Sequence, residues 1–181
     1  MKYAAKVAIL AVGSILLVLV LASVVYGAAP QSAPVAVNVS VNDFLEMTPP
    51  SSVTLAQING TGGASEQSAT WHVATNNDNG YKLEVSATGS PAMTKGADSF
   101  ADYSGPGAWS MAATDSAFGF SVNGTNGYRG LNGASPIQVF SNSNETAGED
   151  TIIFFKAAVG TSHLQASGAY SANLTVTATT L

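Results

Sequence analysis

The sequence contains no cysteine. That absence excludes disulfides, thiol catalysis, a Cys-x-x-Cys redox pair and any cysteine-ligated metal. Charge is also scarce, at 9% of 181 residues, and positive charge is the scarcer sign. Beyond residue 28 the basic side chains are Lys82, Lys95, Arg129 and Lys156, against all eleven acidic ones, a formal charge of about −7. Such a balance excludes the basic face that nucleic acid requires. It equally excludes a polybasic patch for an anionic bilayer. Histidine occurs twice, at His72 and His163, too few for a closed zinc site. No Gly-x-Ser-x-Gly elbow or other nucleophile signature occurs, so none of the many serines is set up for triad chemistry.

The first feature present is an N-terminal apolar run. Lys2 and Lys6 form a short positive start, Val7 to Val25 is apolar, and no further charge appears before Asp43. Positive start, apolar core and small residues after it are the layout of an export signal, with cleavage after Gly27 or Ala28. The run is also long enough to cross the hydrocarbon layer as one helix. Residues 1–28 are therefore a signal peptide or an N-terminal membrane anchor, and both readings stay open. In either, the lysines stay on the cytoplasmic side and the remainder is expected outside, extracellular or at the cell surface. Residues 29–34, with Pro30 and Pro34, read as a short spacer. No sorting signal is expected at the C-terminus, which lacks an apolar tail.

Residues 35–181 read as a single domain, long enough to bury a core. Val35, Val37, Val39 and Val41 alternate with Ala36, Asn38 and Ser40, the clearest local strand signal in the chain. SSVTLAQI (51–58) is a second expected strand. SATWHVATN leads through Asn76-Asn77-Asp78-Asn79-Gly80 into YKLEVSAT, which reads as a β-hairpin. Residues 88–116 are rich in Gly, Ser and Asp and read as a long loop, with a short strand at most near Trp109. AFGFSV (117–122), PIQVFS (136–141), TIIFFKA (151–157) and the alternating segment from Tyr170 to Thr179 complete the strand set. Four consecutive apolar residues, Ile152 to Phe155, point to a strand covered on both faces or to a central one. No segment after the leader has helical periodicity. The fold class is therefore all-β, an antiparallel β-sandwich, immunoglobulin-like or jelly-roll-like, preceded by one hydrophobic helix.

Candidate sites are sparse. Asn76–Gly80 offers side-chain oxygens but lacks the acidic first ligand and distal glutamate of an EF-hand loop, so a plain turn is expected. Asp98 and Asp102 are paired carboxylates of the kind glycoside hydrolysis uses, but hydration of loop carboxylates is the expected reading. Together with Glu145, Glu149 and Asp150 they are the candidates for a weak calcium site; no other cofactor is expected. His72 is out of phase with Trp71 and Val73 and is expected to face outward, and His163 is expected in a turn. Five Asn-x-Ser/Thr sequons, at Asn38, Asn59, Asn123, Asn144 and Asn173, become eligible for glycosylation if the chain is exported to a host that modifies asparagine. Trp71, Tyr81 and Phe120 fall in the apolar phase of their strands and are expected in the core. Trp109 and Tyr128 fall in loops and are the candidates for contact with a glycan.

Three blocks carry a resemblance. SATWHVATNNDNGYKLEVSAT resembles a recurring Thr-Asn…Gly-Tyr block of secreted bacterial surface proteins, FGF (118–120) resembles a later aromatic-Gly-aromatic element, and SGAYSANLTVTATT resembles the closing Gly-x-Tyr strand. The pattern is similar to WxL-type cell-wall surface domains, without a true Trp-x-Leu: Trp71 begins WHV and Trp109 begins WSM. The resemblance implies an extracellular structural or adhesive role, with no catalytic residues to carry over. A non-catalytic surface protein is the first expectation, with 35–41 either pairing inside its own sandwich or donated to a neighbour's sheet edge in a filament or surface layer. A carbohydrate- or wall-binding module is the second, and a secreted hydrolase a distant third.

Overall fold

The computed structural model describes residues 33–105 and 107–181; the leader, its 27–28 junction and most of the spacer lie outside them. The chain divides into two units, Met1–Ser40 and Val41–Leu181. The described part of the first, residues 33–40, is fully exposed and forms neither strand nor helix.

The second unit is all-β, with ten strands and no helix among the described residues. They are β1 (Leu45–Thr48), β2 (Gly63–Thr75), β3 (Tyr81–Ala87), β4 (Met93–Lys95), β5 (Asp98–Asp102), β6 (Ser116–Ser121), β7 (Ile137–Asn142), β8 (Thr146–Val159), β9 (Ser171–Ala172) and β10 (Leu174–Thr180). A larger sheet runs in the order β1-β2-β8-β6-β5-β4-β9, and a smaller one in the order β10-β3-β7. All pairs are antiparallel except β5 with β6.

Alternation explains the long strands. In β3, Tyr81, Leu83, Val85 and Ala87 are buried while Lys82, Glu84 and Ser86 are half-buried on the opposite face. Gly80 makes the preceding turn possible: its φ is +76°, and its N–H donates to Asn77 O at 2.9 Å. An L-residue is disfavoured at that φ. One buried cluster spans both sheets, with Trp71, Val73, Phe118, Phe120, Ile153 and Phe155 from the larger and Tyr81, Leu83 and Val85 from the smaller. Within it Trp71 meets Phe155 edge-on at 6.3 Å between ring centroids, a favoured aromatic geometry.

Three expectations require correction. Residues 35–41 carry the strand pattern but belong to no strand, and their valines are 80–90% exposed. Residues 51–58 likewise form no strand, although Val53, Leu55 and Ile58 pack against the core. In both, the side-chain period is present and the neighbouring backbone is not. The 88–116 stretch is no continuous loop: it contains β4 and β5, whose Met93 and Phe100 face each other across the pair and enter the core, and no strand forms at Trp109. The run Ile152–Phe155 does lie centrally, on β8 between β2 and β6, but only Ile153 and Phe155 face the core. Ile152 remains 45% exposed on the outer face.

Candidate functional site

The smaller sheet has three strands facing a sheet of seven, and part of the larger sheet's inner face is roofed by irregular chain instead. There a groove of about 890 Å³ opens. Its floor is Trp71, Phe118, Phe155, Ala157 and Val159, and its walls are residues 50–60 and 165–174. None of its lining residues is charged. The second wall is firmly held. Lys95 Nζ donates to Ser167 O at 2.7 Å and lies 5.4 Å from the Tyr170 ring centre. Gln165 Nε2 donates to Tyr170 Oη at 2.7 Å. The first wall is different: among the described residues, no backbone–backbone hydrogen bond ties 51–59 to a neighbour.

The point where the domain begins is fixed by residues that sequence reading treated as a plain turn. The Asn76 side chain donates from Nδ2 to Asn42 O at 3.0 Å and accepts at Oδ1 from Phe44 N at 2.8 Å. Thr75, buried, donates its hydroxyl to Phe44 O at 2.7 Å. The β1–β2 ladder pairs Leu45 with Thr75, so an asparagine amide extends it by imitating one more peptide group. Only the Thr-Asn dipeptide hinted at this, because the partner lies 32 to 34 residues away.

A separate aromatic cluster lies outside the main core. Tyr103 and Trp109 stack at 4.4 Å between centroids and 10° between planes, and Tyr128 meets Trp109 edge-on at 5.2 Å. Lys156 Nζ lies 5.4 Å from the Trp109 ring centre, 5.3 Å from that of Tyr128 and 3.2 Å from Glu66 Oε2. Gly119 makes room: a Cβ there would lie 2.7 Å from Arg129 O and 2.8 Å from Tyr103 Cβ. Tyr128, a candidate for ligand contact, is 1% exposed, and its hydroxyl is engaged by Glu66 and Gly124 O. Burial and that carboxylate push its pKa well above the usual phenol range. Trp109 is half-buried, its ring already stacked on Tyr103.

The acidic candidates are dispersed. Asp98 pairs with Lys95 at 3.0 Å, and Asp102 accepts from Ser90 Oγ at 2.6 Å and Ala92 N at 2.8 Å. Glu149 accepts from Asn142 Nδ2 at 2.6 Å, and Asp150 pairs with His72 Nδ1 at 2.7 Å. Glu145 borders a polar depression with Asp43 and Asn76–Asn79. Among the described residues no three of His, Asp or Glu converge as a metal would need. His72 faces outward, and His163 sits in a loop with Nδ1 2.9 Å from Thr114 O. Trp71, Tyr81 and Phe120 are all core residues. All five sequon asparagines, Asn38, Asn59, Asn123, Asn144 and Asn173, are exposed.

No protein-family model matches this sequence, and no curated protein matches it. Among solved structures, a chain from the structure of a chaperone-usher pilus is similar at 17% identity and a TM-score of 0.46. The match covers 86% of this chain and 99% of that one. At that score the likeness assigns neither fold family nor function.

Proposed function

We propose that this protein is a non-catalytic structural subunit of an extracellular surface, which self-associates into a filament or layer through residues 35–41. One observation carries the reading. Val35, Val37, Val39 and Val41 are 82%, 90%, 89% and 80% exposed, in strict alternation. Leaving a β-patterned valine stretch in water forgoes about 1.5–3 kcal/mol per side chain that burial would supply. An unpaired stretch with this β pattern is also a template for another chain's edge. A structural subunit uses that tendency for assembly.

The export reading of the leader supports placement outside the membrane. The two sheets around one core are read as an immunoglobulin-like sandwich, since a three-stranded sheet facing a larger one fits that division better than the paired four-stranded sheets of a jelly roll. The glycan-binding alternative is the weaker reading, because Tyr128 is buried and the half-buried Trp109 ring is stacked on Tyr103. Electron microscopy of the exported protein tests the proposal. Regular filaments or sheets are expected, and they should disappear when residues 29–42 are deleted. Dispersed particles from both proteins would contradict it.

A further inference from the structure

We infer that the groove over the larger sheet receives residues 35–41 of a second copy of this chain, paired along the free edge of β10. The inference rests on the self-association proposed above and names the surface that completes it.

The free edge follows from hydrogen-bond parity. Thr88 N donates to Asn173 O at 3.1 Å and Leu181 N to Gly80 O at 3.1 Å. Both pairs lie on the β10–β3 register, which runs without a break from Leu174↔Ala87 to Thr180↔Tyr81. In an antiparallel ladder the backbone groups of alternate residues point to the same side. The odd-numbered residues of β10 therefore face β3. Leu174, Val176, Ala178 and Thr180 turn their N–H and C=O groups the other way, and among the described residues no backbone group meets them. Leu174, Val176 and Ala178 also pack on the core, and Leu174 lines the groove. This is a sheet edge that borders the hydrophobic trough at Leu174; β1 also comes close to β10, without hydrogen bonding to it.

Residues 35–41 fit that edge in length, pattern and charge. They span seven residues, as β10 does. Strand geometry spaces alternate side chains about 6.8 Å apart, so the four valines would share the inward face beside Leu174, Val176 and Ala178, entering the trough at its Leu174 end, while Ala36, Asn38 and Ser40 face water. Neither the groove lining nor the chain between Lys6 and Asp43 carries a charge. Two copies of an acidic protein would thus meet there without like-charge repulsion or a buried ion. A small apolar ligand would fill the trough but leave the β10 backbone groups unpaired, whereas a strand satisfies both. The wall formed by 51–59, lacking backbone ties of its own, is the part able to adjust to the incoming strand.

The absence of cysteine makes a cross-linking test direct. Val37→Cys is placed in one sample of the full chain, and Val176→Cys or Leu174→Cys in others. The samples are mixed, oxidised and resolved without reductant. A disulfide-linked heterodimer is expected from Val37→Cys with either β10 variant, and none with Ser143→Cys in the β7–β8 turn. Circular dichroism melting checks that each variant folds, and two β10 positions guard against one misfolding. Solution mass of each sample is measured in parallel. Assembly without a groove cross-link would overturn this inference and leave self-association standing. A monomer without cross-links would overturn both. A Val37→Cys/Val176→Cys double variant that closes within one monomer would overturn it in favour of the chain filling its own groove.

Discussion

Tyr81 shows how a single side chain ties the smaller sheet to the larger. Its ring is fully buried at the start of β3, and its hydroxyl lies 3.4 Å from Glu149 Oε2 on β8. Burial, then the Glu149 charge, pushes its pKa up to about 12 from the ordinary 10. The folded state thus holds the phenol proton more tightly than the unfolded chain does. Its contribution to stability is complete below pH 10 and is lost as pH rises through about 12. Urea midpoints measured against pH should be level up to about pH 10 and then fall. Tyr81→Phe should flatten part of that fall and cost no more than about 1.5 kcal/mol at neutral pH. Gly119 offers a second test at this scale. Gly119→Ala would drive a methyl into Arg129 O and Tyr103 Cβ. A loss of about 1–3 kcal/mol, the usual range for overpacking, is expected in chemical denaturation.

At the scale of elements, the sequence pattern and the fold agree where a strand has both a period and a partner. β3, β8 and β10 were legible from alternation or apolar run, and the Asn76–Gly80 turn from its residue types. Leu83 on β3 is fully buried, and Leu83→Ala should cost about 2–5 kcal/mol by thermal or urea unfolding. β4 and β5 were not legible, because each is short and their surroundings are rich in Gly, Ser and Asp. Only Met93 and Phe100, meeting across the pair, mark them as core. Residues 35–41 and 51–58 were legible as strands and are unpaired, since a period of two reports how side chains alternate, not whether a backbone lies alongside. The groove itself was not legible: its floor residues are spread from Trp71 to Val159 and come together only in the sheet. The Asn76 bridge to residues 42 and 44 was equally hidden. Asn76→Ala should leave Phe44 N without its side-chain acceptor and lower stability by about 1–2 kcal/mol.

For the whole molecule, the economy of charge and the unpaired valine stretch belong together. A domain with four basic and eleven acidic residues repels its own copies at long range. Association then depends on uncharged surface, and the valine stretch and the groove are the two uncharged, apolar surfaces described. Intact mass and N-terminal sequencing of the protein from its native host will show whether the valine stretch begins free or tethered to the apolar leader. The central claim, that residues 35–41 hold copies together, is tested most directly by the solution mass of the full chain beside its Val37→Asp/Val39→Asp variant. Both side chains are about 90% exposed in the single chain, so the substitutions should leave its fold intact, checked by a cooperative melt of the variant; the parent should melt higher only by as much as assembly stabilises it. The parent should sediment as an assembly of many copies and the variant as a monomer. A monomeric parent, or a variant that assembles as well as the parent does, would contradict the claim.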